Sequence, residues 1–91
     1  MHVYIFAYSR FMGNTDEVRE LLEQVDCIEK ICQLLQGTFL LLSEAEATDI
    51  HAKIKEIAPN KRFLISEISE NRQGWLPKRT WQFIRQNEDK F

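Results

Sequence analysis

The side chains of this chain that are best suited to chemistry are two cysteines and two histidines. Cys27 and Cys32 are five residues apart, and on one strand that spacing points two side chains to opposite faces. They would then share neither a disulfide nor a metal ion, so we expect two free thiols. His2 and His51 complete no metal-ligand spacing with either cysteine. The sequence therefore predicts no metal site and no cofactor.

Hydroxyl and carboxyl groups offer no complete catalytic set either. Ser9 could act as a nucleophile only with a base within hydrogen-bond reach, and the sequence places neither histidine there. Glu67 and Glu70 could serve as a glycosidase-like pair only at a defined separation, which the sequence does not fix. Gly13 and Gly37 are isolated, so there is no Gly-rich loop to cradle a phosphate. We expect no catalytic residues, and an enzyme is the least favoured class of function.

The last third of the chain is basic although the whole chain carries a formal net charge of −2. Residues 1–60 hold five Lys/Arg and ten Asp/Glu, whereas residues 61–91 hold seven Lys/Arg and four Asp/Glu. Basic residues interleaved with aromatic ones can contact phosphates and stack on bases. A solvated helix face is the alternative, with Trp81 on a packed stripe and Trp75 packing the last helix onto the sheet. The candidate nucleic-acid-binding residues, around these two tryptophans, are Arg72, Lys78, Arg79 and Arg85.

Four stretches have the apolar, β-branched or aromatic composition of strands. The second of them mixes charged and apolar positions, which indicates an edge strand with Ile28, Cys32 and Leu34 on one face. A tight turn at Gln36-Gly37 joins it to the third, so these two strands should form a hairpin. The predicted strands are residues 3–8, 27–35, 38–42 and 62–68.

Capping patterns and apolar stripes predict two helices between the strands and one after them. Asn14-x-x-Glu17 and Ser43-x-x-Glu46 fit the capping box, in which two side chains bond reciprocally to the backbone where a helix begins. Pro77 suits the first turn of the last helix, where its missing N–H costs nothing. Residues 86–91 are expected to fray. The predicted buried stripes are Val18, Leu21, Leu22 and Val25, then Ala47, Ile50, Ile54 and Ile57, and finally Pro77, Trp81 and Ile84.

This order of elements predicts an α+β fold, a ferredoxin-like βαββαβ sandwich plus a C-terminal helix, in one domain over residues 1–91. Right-handed crossovers would place the first and third strands at the centre and two helices on one face. The other face would stay open unless the C-terminal helix or a second subunit covers it. Large apolar faces seldom stay exposed in soluble monomers, so we expect a homodimer.

From the sequence we expect neither a membrane span nor a signal peptide. The longest apolar run, near residues 39–42, is far shorter than a bilayer requires. The first residues lack a basic region followed by a cleavage pattern, so no signal peptide is expected. We expect a cytoplasmic protein without membrane contact.

The stretch Arg62-Phe63-Leu64-Ile65-Ser66-Glu67-Ile68, followed by Gly74-Trp75-Leu76-Pro77-Lys78 and Trp81, resembles a group of small bacterial proteins labelled SinR-family. Their fold is similar to that of the small CRISPR-associated nuclease at the centre of the spacer-integration complex. The resemblance implies a ferredoxin-like fold and a bacterial, phage or mobile-element system. In the related nucleases an Asp after the first strand holds a divalent metal ion; here Ser9 stands there. A hydroxyl is a poor sole ligand for Mg²⁺, so metal-dependent cleavage is not expected.

Two functions are therefore open. The first is a non-catalytic protein-interaction or inhibitor module that acts as a homodimer with an unidentified protein partner. The alternative is a nucleic-acid-binding protein related to the CRISPR-associated nuclease fold but without metal-dependent cleavage.

Overall fold

The computed structural model describes residues 1–87, which form one four-stranded sheet with helices on both faces. The α+β class is confirmed. Residues 88–91, part of the segment expected to fray, lie outside the described residues. The elements in chain order are β1 (His2–Tyr8), a 3₁₀ turn (Arg10–Met12), α1 (Thr15–Glu23), β2 (Ile28–Leu35), β3 (Thr38–Ser43), α2 (Ala47–Ile57), β4 (Phe63–Glu67) and α3 (Lys78–Asn87).

The sheet has the strand order β2-β3-β1-β4, and all neighbouring strands are antiparallel. The first and third strands are therefore central and β2 is an edge strand, as the charge pattern of the sequence predicts. The predicted turn joins β2 to β3, where Gly37 has a φ of 79°, a left-handed conformation that glycine adopts without strain.

The larger core lies between the sheet and the helices α1 and α2. Alternate residues of the central strands point into it, and the apolar stripes of both helices close it. Ile57 of the second predicted stripe is exposed at the end of α2, and Ala58 is buried in its place. The buried members of this core are Tyr4, Phe6, Met12, Val18, Leu22, Val25, Phe39, Leu41, Ile50, Ile54 and Ala58.

The two capping patterns have different outcomes. Asn14 caps α1, since its Oδ1 accepts a hydrogen bond from the Glu17 backbone N–H at 2.9 Å while Glu17 Oε1 accepts one from the Asn14 N–H at 3.1 Å. The capping box predicted at Ser43 is wrong, because α2 begins at Ala47 and β3 continues through Ser43. The buried Ser43 hydroxyl donates instead to the Cys27 carbonyl at 2.5 Å and accepts from the Ala45 N–H at 3.0 Å.

A β-bulge changes the faces of β2. Ile28 pairs with Ser43 and Ile31 pairs with Leu41, so four residues of β2 (28–31) lie opposite three of β3 (41–43). Ile28 therefore packs into the larger core with Ile31, and the prediction that it shares a face with Cys32 is wrong. Cys32 packs against the opposite face of the sheet. Cys27, which precedes the strand, packs against the larger core, and both cysteines are free.

The C-terminal helix covers part of the face that the first two helices leave open. A smaller core there contains Val3, Leu40, Leu42, Ile68 and Ile84, with Trp81 packed against it. The predicted stripe of α3 is correct at Trp81 and Ile84 and wrong at Pro77, which is exposed directly before the helix. Thr80 is buried instead, and the Pro77 carbonyl accepts hydrogen bonds from the backbone of the first turn.

Candidate functional site

One row of residues on the open face of the sheet lies beyond the reach of α3. Leu35 pairs with Thr38, Thr38 with Ala7, and Ala7 with Leu64, so one residue from each strand contributes to the row. Directly paired residues of antiparallel strands share a face. The exposed fraction is 57% for Leu35 and 67% for Leu64, while the two central residues are half-buried. We call Leu35, Thr38, Ala7 and Leu64 the uncovered row.

An apolar groove of about 270 Å³ runs from one end of this row toward α3. Its floor includes Ile5 and Leu34, and the loop between β4 and α3 together with Trp81 forms one wall. Trp75 stands at the rim with its side chain 100% exposed. A fully exposed tryptophan beside an apolar groove is unusual on a monomer surface, because it leaves the largest apolar side chain in water.

The expectation that Trp75 packs the last helix onto the sheet is wrong. Trp81 takes that place, since its ring lies against the smaller core. The backbone of Gly74 passes close to the same ring, and a Cβ atom at Gly74 would stand 3.6 Å from the Trp81 Cζ2 atom. The backbone at Gly74 therefore lies alongside Trp81, while the side chain of the next residue, Trp75, is exposed.

The four predicted nucleic-acid-binding residues form two pairs. Arg72 and Arg85 line one surface depression beside Trp81, which they share with the carboxylate of Glu70. The Arg72 Nη1 donates to the Ser69 carbonyl at 3.1 Å, which fixes one end of its guanidinium. Lys78 and Arg79 are exposed in the first turn of α3 and are not among the residues of that depression.

Ser9 has a structural use at the end of β1. Its Oγ accepts a hydrogen bond from the Phe11 backbone N–H at 3.2 Å and so caps the 3₁₀ turn. Within residues 1–87 no histidine is hydrogen-bonded to that oxygen. The His51 ring stands instead against Phe63, with the ring centroids 5.3 Å apart. Among the described residues, Ser9 therefore has no hydrogen-bonded base.

The carboxylates considered for acid–base chemistry are separated in their contacts. Glu67 Oε2 is 2.9 Å from the Nδ1 of His2, whereas Glu70 borders the depression beside Trp81. In the part of the chain that the structure describes, no group of three or more His, Cys, Asp or Glu side chains could hold a metal ion.

Tyr4 is a titratable side chain buried in the larger core, and its pKa is clearly shifted. Its hydroxyl donates to the Ala45 carbonyl at 2.6 Å. Burial raises the pKa of Tyr4 to about 12, and the nearby carboxylate of Glu67 adds to the increase. The phenol thus stays protonated at physiological pH and keeps its hydrogen bond.

No family model matches this chain, and neither the curated proteins nor the solved structures give a match. Among the described residues, no helix has both the length and the apolar character that crossing a bilayer requires.

Proposed function

We propose that this protein is a non-catalytic protein-interaction module with a ferredoxin-like sandwich, which acts as a homodimer through the open face of its sheet. The element order and the strand order β2-β3-β1-β4 support the ferredoxin-like assignment. A kinship in fold with the SinR-family proteins and the CRISPR-associated adaptation nuclease remains part of this proposal. So does a role as a partner or inhibitor in a bacterial, phage or mobile-element system.

The observation that carries the proposal is the position of Trp75 beside the apolar groove and the uncovered row. An interface of standard size removes roughly 800 Å² from each partner, and one tryptophan supplies about 150–250 Å² of that. Leu35 and Leu64, at the two ends of the row, add further apolar area. An exposed aromatic anchor next to a pocket is the typical arrangement of an interface hot spot.

A second copy of the chain fits this surface because the surface offers both a projecting group and a receptor. In a two-fold dimer the Trp75 of each copy could enter the groove of the other, so one patch satisfies both partners. The two edges of the sheet also differ in how well they suit contact with a second chain. The edge strand β2 carries charges and two register shifts, which discourage pairing with another strand. The edge strand β4 is regular and exposes Leu64, so it is the edge better suited to the interface.

Light scattering over a concentration series tests the proposal. The parent protein should reach twice the mass of one chain at high micromolar concentration, and Trp75→Ser should shift the transition to higher concentration by about tenfold or more, since hot-spot truncations cost about 2 kcal/mol. Phe11→Ser is the matched control, because Phe11 is 74% exposed but lies in the 3₁₀ turn, away from the groove. A parent protein that keeps the mass of one chain throughout would contradict the dimer.

Nucleic-acid binding is a second candidate function, and the convergence of Arg72 and Arg85 beside Trp81 favours it. Guanidinium groups contact phosphates well, and neighbouring aromatic rings can take bases. The double charge reversal Lys78→Glu with Arg85→Glu should abolish binding while circular dichroism shows an intact fold. Equal binding by this variant at every salt concentration would assign the α3 cations to a solvated helix face.

A further inference from the structure

Four cations gather at the end of the sheet where β1 finishes and β4 begins. Arg10 lies in the 3₁₀ turn, Lys55 in the last turn of α2, and Lys61 and Arg62 in the loop before β4. We call these four residues the loop-end cluster. Arg10 and Lys55 belong to residues 1–60, which carry twice as many acidic as basic side chains. The composition of residues 1–60 therefore does not predict a cluster of cations there.

Two hydrogen bonds tie the loops of this cluster together. The Ser9 backbone N–H donates to the Arg62 carbonyl at 3.0 Å, which extends the pairing of β1 and β4 by one residue. The Lys61 Nζ donates to the Phe11 carbonyl at 3.0 Å. These bonds hold the 3₁₀ turn against the loop before β4, so the cations are presented by a fixed backbone and little order has to be gained on binding.

Three of the four cations line one depression without an acidic residue, whereas Arg10 lines a separate depression that also includes Glu17. The first depression, of about 560 Å³, is lined by Lys55, Lys61, Arg62, His51 and Phe63 with Pro59 and Asn60, and no carboxylate contributes to its lining. None of its three cations forms an ion pair with another residue of the range 1–87. Unpaired, exposed cations around one concavity attract an anion with several charges.

An aromatic ring stands beside this charge. Phe11 is 74% exposed, and the Arg10 guanidinium lies over its ring at 5.1 Å from the centroid. A cation and an exposed ring in contact form a platform on which an unpaired base can stack. A duplex would offer no free base face to such a ring, so the combination favours a single strand.

We propose that the loop-end cluster binds the phosphate backbone of single-stranded nucleic acid, with Phe11 as the stacking surface for one base. This inference deepens the second candidate function, on which it rests, and it is independent of the dimer. It differs from that candidate in the surface used. The loop-end cluster lies where β1 ends and β4 begins, whereas Arg72 and Arg85 lie beside Trp81 and Lys78 and Arg79 lie in the first turn of α3.

Fluorescence anisotropy with a labelled oligothymidylate of about ten nucleotides, a length within the usual site size, tests this inference across a salt series. The variant Lys55→Gln with Arg62→Gln removes two cations and keeps the Lys61 hydrogen bond to the 3₁₀ turn. We expect affinity to fall by about tenfold or more and the salt slope to decrease by about 1.4, which is two contacts at roughly 0.7 each. Phe11→Leu should weaken binding by roughly fivefold or more without changing the salt slope.

The control is Lys78→Gln with Arg85→Gln, which removes two cations from α3. If this control loses binding and the loop-end variant does not, nucleic acid binds at α3; the inference is then overturned and the second candidate function stands. If the parent protein does not bind the oligonucleotide at low salt, both this inference and the second candidate function fail.

Competition with thymidine monophosphate distinguishes a nucleic-acid backbone from a small phosphate ligand. If thymidine monophosphate displaces the oligonucleotide at an equal concentration, the cluster binds a small phosphate ligand and the proposal is overturned.

Discussion

Tyr4 shows at the residue scale how one polar group is accommodated in an apolar core. Its ring belongs to the larger core, yet its hydroxyl reaches the backbone carbonyl of Ala45 at 2.6 Å. A buried hydroxyl without a partner would cost about 1–3 kcal/mol, so this hydrogen bond permits tyrosine at the site. It also joins the central strand β1 to the segment that precedes α2.

The raised pKa of Tyr4 predicts a loss of stability at alkaline pH. Because the pKa is higher in the folded protein than the ordinary 10, the contribution of Tyr4 is complete below about pH 10 and falls as the pH rises toward 12. Tyr4→Phe removes both this dependence and the hydrogen bond to Ala45. The difference in unfolding free energy between parent and variant should therefore narrow between pH 10 and 12. A tyrosinate absorbance titration in which the component lost in Tyr4→Phe ionises near pH 10 would contradict the account.

The two tryptophans should respond in opposite ways to truncation. Trp81→Ala should lower the unfolding free energy by about 2–3 kcal/mol, below the roughly 3–5 kcal/mol of a fully buried aromatic, because the ring is half-buried. Trp75→Ala should change it by less than about 0.5 kcal/mol, since the side chain is fully exposed. Urea unfolding at concentrations where the protein is monomeric measures both. A larger loss at Trp75 than at Trp81 would reverse our assignment.

At the scale of elements, the same sequence pattern produced a cap at Asn14 and none at Ser43. Tertiary structure decides between the two outcomes. Ser43 belongs to β3 and pairs with His2 on one side and Ile28 on the other, so it is not available to cap a helix. A buried hydroxyl there is held by the Cys27 carbonyl and the Ala45 N–H. The sequence records the local pattern but not the pairing partners of the strand, so it could not distinguish the two sites.

Alanine substitutions separate these two roles. Asn14→Ala should cost about 1 kcal/mol, the usual value for a lost helix cap. Ser43→Ala should cost about 1–3 kcal/mol, since it leaves a buried carbonyl and a backbone N–H without their partner. Circular dichroism should show weakened helix for the first variant and an unchanged start of α2 for the second. A loss of helix signal after Ser43→Ala, with no effect of Asn14→Ala, would mean that the capping assignments are reversed.

The edge strand β2 illustrates another limit of sequence interpretation. Its position at the edge follows from charges such as those of Glu29 and Lys30, which a buried central strand would not accept. The face of each residue does not follow, because one extra residue in a bulge reverses the alternation of all residues beyond it. Ile28 was assigned to the wrong face for this reason.

For the whole molecule, the sequence predicts the α+β class, the order of the elements and the two central strands, because all three follow from periodicity and short connections. It leaves open what covers the second face of the sheet. The answer depends on the path of residues 69–77, a loop without periodicity, which packs Gly74 against Trp81 and turns Trp75 outward. The sequence pattern alone does not predict the uncovered row, because the exposure of Leu64 depends on which part of the sheet face the C-terminal helix covers.

The most direct measurement of the central claim is the exposure of Trp75 as the protein associates. In a Trp81→Phe background Trp75 is the remaining tryptophan, so its emission and its quenching by iodide report on this site alone. As concentration rises, we predict a shift of the emission to shorter wavelength and a decrease in quenching, with the same midpoint as the doubling of mass in light scattering. A Trp75 that stays equally quenched at all concentrations, whether or not the mass doubles, would contradict the open-face interface.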